Sequence, residues 1–289
     1  MKRQAFTLLE VLIGAAISSI LAVAVFALMN AGSILSAKNL SLNLTSNSMR
    51  TALDRVEQVV QQADTTDAQP QLINTSGTVV GAGPAAGIRF DRAVGSPYVV
   101  TVTGGSIPAA TTSLTLTRST HPVATAPVPK VGDIVRIATT DAAVRPRIQI
   151  VSPGSVSSQR QPCAVTFEAP LGIAMTVSNG NIVSARLIHH VAFLVMPAGG
   201  KPELRYYDSF DTTTNLNDNS KYVVVTDQIG TASDDVTPFS LTVTNGQALV
   251  NFSLRVRASN NDRGMRGLQQ DQFNTYNRTE TQIRPKVSQ

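Results

Sequence analysis

Cysteine is nearly absent from this sequence: Cys163 stands alone, so no intramolecular disulfide and no cysteine-type zinc site can form. If the protein works outside the cytoplasm, packing and hydrogen bonds must hold its fold. Tryptophan is missing, aromatics supply 5% of the 289 residues and charged residues 15%, well below the usual quarter. Set beside 42% hydrophobic residues, that deficit excludes a disordered polyelectrolyte and a coiled coil rich in Glu and Lys. There is no internal repeat and no collagen-like glycine period. The length suits one large domain or two small ones.

Basic runs are missing too. The net charge of +5 is spread along the chain, and nucleic acid as a partner is allowed but unsupported. Arg145, Arg147, Arg255, Arg257, Arg263 and Arg266 read as a solvated sheet face that doubles as a weakly basic surface.

The most informative absence is local. Lys2, Arg3 and Glu10 are the only charges in the first 37 residues, and nothing from Val11 to Ala37 ionises. Such a run exceeds the about 20 apolar residues that cross a bilayer. Lys2 and Arg3 precede it, so the positive-inside bias keeps the short amino end in the cytoplasm and sends the bulk outward as a single-pass protein. A cleaved signal peptide, for which Ala22-Val23-Ala24 offers small residues, and a plain signal anchor both fit this pattern. Glu10 fits neither, because a carboxylate on an apolar helix costs on the order of 2.5 to 3.5 kcal/mol at the bilayer centre and needs a partner.

Ala5-Phe6-Thr7-Leu8-Leu9-Glu10-Val11-Leu12 resembles the type III signal of type IV prepilins and type II secretion pseudopilins. The resemblance implies cleavage between Ala5 and Phe6 by a membrane-embedded prepilin peptidase, which then methylates the new Phe6 amine. It implies that Glu10, the fifth mature residue, neutralises the amine of a neighbouring subunit during filament assembly. Ala5 departs from the family's usual glycine but is the smallest substitute. The partners implied are other pilins or pseudopilins through the apolar helix, the peptidase, and the inner membrane before assembly. No cofactor is implied.

Beyond the membrane, Leu42, Met49, Leu53, Val56 and Val60 follow spacings of 7, 4, 3 and 4, which predicts one apolar helix face opposite Arg50, Asp54, Glu57 and Gln61. We expect one helix from residue 6 to 63, with 6–30 in the membrane or filament core and 31–63 amphipathic, about 85 Å long. Residues 47–56 are similar to the corresponding helix end of PilW-like minor pilins and of the J-type pseudopilin.

From residue 64 the pattern changes to short Val, Ile and Thr runs between turn residues, which predicts a largely antiparallel β-rich domain over 64–289 and an α+β fold. Expected strands are 87–90, 98–103, 113–118, 134–139, 147–151, 164–167, 182–196, 203–207, 222–227, 239–244 and 248–258. Residues 197–202 read as a hairpin loop and Asn245-Gly246 as a tight turn. Residues 65–87 read as a linking loop, the proline-containing 104–132 as a surface excursion, and the polar tail from 281 as an edge strand or a frayed end. The order of the runs around 204–208, 223–229 and 249–256 is again similar to PilW-like and J-type subunits.

Catalytic patterns do not assemble. Gly81-x-Gly83 with Gly87 precedes a strand rather than the helix a dinucleotide loop requires, and Gly199-Gly200-Lys201 lacks phosphate-loop spacing. His189 and His190 are neighbours on a strand and face opposite ways, so they cannot chelate one metal together, and His121 lies in a loop. No Gly-x-Ser-x-Gly elbow occurs. Asp208, Asp211, Asn217 and Asp218, with Asn215 and Asn219, supply hard oxygens suited to calcium but lack the EF-hand glycine, and a solvated loop is the simpler reading. Cys163 reads as a small buried side chain.

The reading is therefore a non-enzymatic minor pilin, processed by prepilin peptidase and acting in pilus initiation or at the tip. Removing five leader residues leaves 284, and losing Lys2 and Arg3 takes the side-chain charge from +5 to +3. The alternatives are a J-type pseudopilin of type II secretion, a tip adhesin or DNA-uptake subunit, and a signal-anchored exoenzyme.

Overall fold

A computed structural model describes residues 8–65, 69–81, 83–102, 104–123, 125–139, 141–177, 182–198, 201–211, 213–230, 235–244, 247–257 and 276–283. It is an α+β fold in which one long helix, α1 (Leu8–Val60), leads into an antiparallel β-rich body. At 1.5 Å per residue α1 extends about 80 Å. Its first half is exposed, and from Ala37 onward a seam of Ala37, Ser41, Thr45, Ala52, Val56, Val59 and Val60 is buried.

The seam differs from the expected face. Val56 and Val60 are fully buried and Met49 and Leu53 pack partly against the core, but Leu42 is exposed. Small and hydroxyl-bearing residues replace leucines where α1 comes close to β12 (Tyr222–Thr226): the Ser48 and Thr226 hydroxyls are 2.8 Å apart. Thr45 donates its hydroxyl to the Ser41 carbonyl at 3.0 Å, within its own helix. Hydropathy periodicity finds Val56 and Val60 but cannot see the stretch of the seam from Ala37 to Ala52, whose buried residues are Ser, Thr and Ala.

Two long strands form the spine of the body. β2 (Gly87–Thr101) and β10 (Ile182–Ala198) pair antiparallel from Gly87↔Leu194 to Thr101↔Ile182. The strands expected at 87–90 and 98–103 are thus one element. Its middle carries an irregularity, with Gly95 at φ +69° opposite the register shift between Ala185 and Leu187. A Cβ on Gly95 would come within 2.6 Å of Pro127 Cδ, so the left-handed turn and the close approach both call for glycine.

Each half of the spine has its own outer strands and its own core. Toward the helix, β1 (Gln71–Ile73) pairs with β2, β10 with β11 (Lys201–Tyr207), and β11 with β12. A separate sheet of β13 (Phe239–Thr244), β14 (Gln247–Arg257) and β15 (Tyr276–Ile283) covers this region. The first core joins Ala52, Val56, Val59 and Val60 of α1 to Phe90, Phe193, Tyr206, Phe239, Phe252 and neighbours. Farther out, β2 and β10 bind β4 (Ser113–Ser119) and β5 (Ile134–Ala138), and β7 (Ile148–Pro153) with β8 (Arg160–Phe167) extends the sheet. Tyr98, Val100, Leu116, Val135, Ile137, Ile148 and Val165 fill this second core. Short β6 (Ala143–Val144) pairs with β5, and β3 (Ser106–Ile107) with β9 (Met175–Thr176).

Residues 104–132 are therefore not a surface excursion. Ile107, Leu116 and Ala126 are buried in the second core, the Tyr98 hydroxyl donates to the Pro127 carbonyl at 2.7 Å, and Arg118 Nη1 donates to the Ala126 carbonyl at 2.8 Å. The prolines stiffen a covering segment. The 191–207 hairpin is also tighter than expected: Pro197 pairs with Pro202 and Ala198 with Lys201, leaving only residues 199 and 200, which lie outside the described residues. Asn245-Gly246 also lies outside them, as do 258–275 and 284–289; Thr244 pairs with Gln247.

On β10, Val191, Phe193 and Val195 enter the first core while Ala192, Leu194 and Met196 enter a third cluster with Ile73, Tyr207 and Phe210. Burial on both faces explains why the run Val191 to Met196 is continuously apolar. Gly87 lies beside it: an added Cβ would sit 2.4 Å from the Phe193 carbonyl oxygen and 2.7 Å from Leu194 Cδ1. Gly87→Ala is expected to destabilise the protein by about 1 to 3 kcal/mol through overpacking, read as a lower urea midpoint for full-length protein in detergent.

Candidate functional site

The apolar half of α1 is the feature that the rest of the fold leaves without a role. Leu8, Leu9, Val11, Leu12, Ile13, Ile17, Ile20, Leu21 and their successors through Leu35 are exposed large hydrophobics. Among the described residues, α1 is the one helix long and apolar enough to cross a membrane. From Leu8 to Leu35 it spans about 40 Å, more than the about 30 Å of a bilayer's hydrocarbon core. Two of its hydroxyls are satisfied within the helix: Ser19 donates to the Ala15 carbonyl at 2.8 Å and Ser33 to the Asn30 carbonyl at 2.8 Å. These two hydroxyls are thus paired without help from lipid or another helix.

Glu10 lies in the first turn of the described helix, exposed, where the helix dipole favours an acidic group. Ala5 and Phe6 lie outside the described residues.

The oxygen-rich loop after β11 is organised by its own chain. Asp211 Oδ1 accepts the Thr213 amide and hydroxyl, each at 2.7 Å; Asp218 Oδ1 accepts the Ser220 amide at 2.9 Å and hydroxyl at 2.8 Å; Asn215 Oδ1 accepts the Asn217 amide at 3.1 Å. Asp208 stands apart, bound by Arg92 at 2.5 Å and by the Tyr206 hydroxyl at 2.7 Å. These acids thus close turns or pair with cations instead of converging, and among the described residues no group of three His, Cys, Asp or Glu comes together. The loop is anchored by Arg205 and Tyr207, whose Nη1 and hydroxyl each donate to the Leu216 carbonyl at 2.9 Å.

The two strand histidines reach different carboxylates. His190 Nδ1 is 2.5 Å from Asp91, whereas His189 Nδ1 is 3.8 Å from Asp208, beyond hydrogen-bond reach. His189, Tyr206 and Arg92 hold the Asp208 carboxyl well below the usual range against its partial burial. Burial pushes Asp91 up, but the hydrogen bond and charge of His190 and the charge of Arg145 outweigh it and leave this carboxyl below the ordinary value. Cys163 is buried in β8, and burial raises its thiol pKa, which suits an inert packing residue.

The pairing of Asp91, Arg145 and His190 escapes sequence reasoning, since Asp91 and Arg145 stand 54 positions apart. Its only local trace is an acid inside the otherwise strand-like Ile88-Arg89-Phe90-Asp91.

Residues 1–26 match the prokaryotic N-terminal methylation motif. No curated protein and no solved structure matches the chain. The matched segment contains Ala5, Phe6 and Glu10 and most of the exposed apolar run. The chain thus carries the prepilin-type signal of a type IV pilin-like substrate of prepilin peptidase on a membrane-anchoring apolar helix.

Proposed function

We propose that this chain is a minor pilin of a type IV pilus, a non-enzymatic subunit that acts in pilus initiation or at the tip. The observation that carries the reading is the junction of the methylation motif with an exposed apolar half-helix whose second half is welded to a β-rich body. Residues 1–5 are the leader, residues 6–63 the segment of the assembly helix, whose helical part ends at Val60 rather than at the expected 63, and 64–289 the body held outside the cytoplasm. Prepilin peptidase cuts between Ala5 and Phe6 and methylates the Phe6 amine.

Before assembly the apolar half sits in the inner membrane with α1 as its single span. During assembly it exchanges lipid for the apolar helices of other subunits. That exchange moves hydrocarbon between two apolar surroundings, so packing and charge pairing set its direction rather than dehydration. Glu10 supplies the pairing, taking the Phe6 amine of an adjacent subunit. The size of the body supports a minor rather than a major subunit.

The test is mass spectrometry of the amino terminus after expression with and without prepilin peptidase. The expected result is a methylated Phe6 start that requires the peptidase, and an uncleaved chain for Ala5→Leu, whose larger side chain overfills a pocket built for a small residue. An intact Met1 in both strains, or a start after Ala24, overturns the proposal.

A further inference from the structure

A second site is built on the face of the body away from the first core. The strand register sets Gln71 opposite Arg89 and Asp91 opposite His190, placing these four side chains together on one side of the spine. Arg145 and Arg147 come in from between β6 and β7, and Phe210 and Asp211 from the loop after β11. With Gln69 and Phe90 they line a cleft of about 290 Å³. Three arginines thus face two carboxylates, a side-chain charge of 3 − 2 = +1 with the histidine neutral, so the cleft is cationic.

The carboxylates are committed to organising it. Asp91, 6% exposed, binds His190 through Oδ1 and Arg145 through Oδ2, so one buried acid holds both side chains against the wall. Arg89 is held from the other side, its Nε and Nη2 donating to Gln71 Oε1 at 2.9 and 2.7 Å. Asp211 spends Oδ1 on Thr213 and Thr214. Arg147 is the loosest member, 41% exposed and 4.0 Å from Glu168. A guanidinium fork held in place loses little entropy on taking an oxyanion in a two-point contact, and the cleft volume is near the lower limit of small-molecule sites.

We propose that this cleft binds a small oxyanion, the carboxylate or phosphate group of a ligand no larger than a few heavy-atom shells across. Arg147 and Arg89 supply the two-point contact, and Arg145, ordered with His190 by Asp91, forms the fixed wall. Gln69 and Gln71 offer amide groups to hydroxyls next to the anion. The inference is independent of the role proposed for α1.

The test is thermal unfolding of full-length protein in detergent, titrated with sodium phosphate or sodium citrate against sodium chloride at equal ionic strength. A saturable rise, about 3 °C at ten times the dissociation constant, is expected with at least one anion. It should be lost in Arg147→Gln and Arg89→Gln and kept in Arg50→Gln on the exposed face of α1. A rise with phosphate alone identifies a phosphoryl group, and one with citrate alone a carboxylate. Arg147 is well exposed, so its variant should unfold at the wild-type temperature without anion. No rise with either anion, or an equal rise in both cleft variants, overturns the proposal.

Discussion

Glu10→Ala is expected to leave cleavage and methylation at Phe6 intact while lowering incorporation into filaments at least tenfold. The two steps read different features. In the proposed role, cleavage depends on the small residue before the junction and on the apolar run, neither of which the substitution changes. Assembly in the proposed role must place the cationic Phe6 amine among apolar helices, where an unpaired charge costs on the order of 2.5 to 3.5 kcal/mol. Each 1.4 kcal/mol is a factor of ten in an equilibrium, so partial recovery of that cost still gives a large defect. The measurement is the ratio of variant to wild-type subunit in sheared filaments, normalised to the processed membrane pool. Incorporation at the wild-type ratio would sink the pairing role of Glu10 without touching the cleavage proposal.

Phe193→Ala is the substitution with the largest expected cost to the folded body, about 3 to 5 kcal/mol. The side chain is fully buried in the first core, 5.1 Å from the Tyr206 ring centroid and 6.5 Å from that of Phe239. Removing it leaves a cavity beside two rings that belong to different strands, β11 and β13, and cannot close in together. The effect should also be regional. The second core contains neither Phe193 nor its ring partners, so hydrogen exchange is expected to rise in residues 45–63 and in β13 and β14 while β4, β5 and β8 stay protected. Uniform loss of protection would show that the two cores unfold as one unit through their common strands β2 and β10.

The acids around the spine set the pH range over which these measurements are comparable. Asp91 and Asp208 both have carboxyl pKa values lowered by folding. Their contribution is present above the unfolded carboxylate value of about 3.9 and is lost only as pH falls below it. Unfolding experiments between pH 5 and 8 therefore see both acids ionised.

What the sequence determined by itself is whatever depends on neighbours along the chain. The charge-free run after Glu10 and the helical period ending at Val60 specify one long rod, because a helix satisfies its own backbone and its faces recur every few residues. The motif from Ala5 to Leu12 is a linear signal, legible without a fold. Alternating Val, Ile and Thr runs mark strands because a strand's faces also alternate locally, and most strands longer than four residues, such as β4, β5, β10 and β13, stand where that pattern puts them. Tertiary structure alone decided the rest. The helix seam at Ser41, Thr45 and Ala52 is invisible to hydropathy because close approach selects small side chains there. The merging of two expected strands into β2, and the second core beneath the proline-containing segment, follow from pairing with β10 nearly a hundred residues away. The cationic cleft needs Gln71, Arg89, Arg145, His190 and Asp211 from separate segments, and strand register, a property of pairs of strands, brings them together.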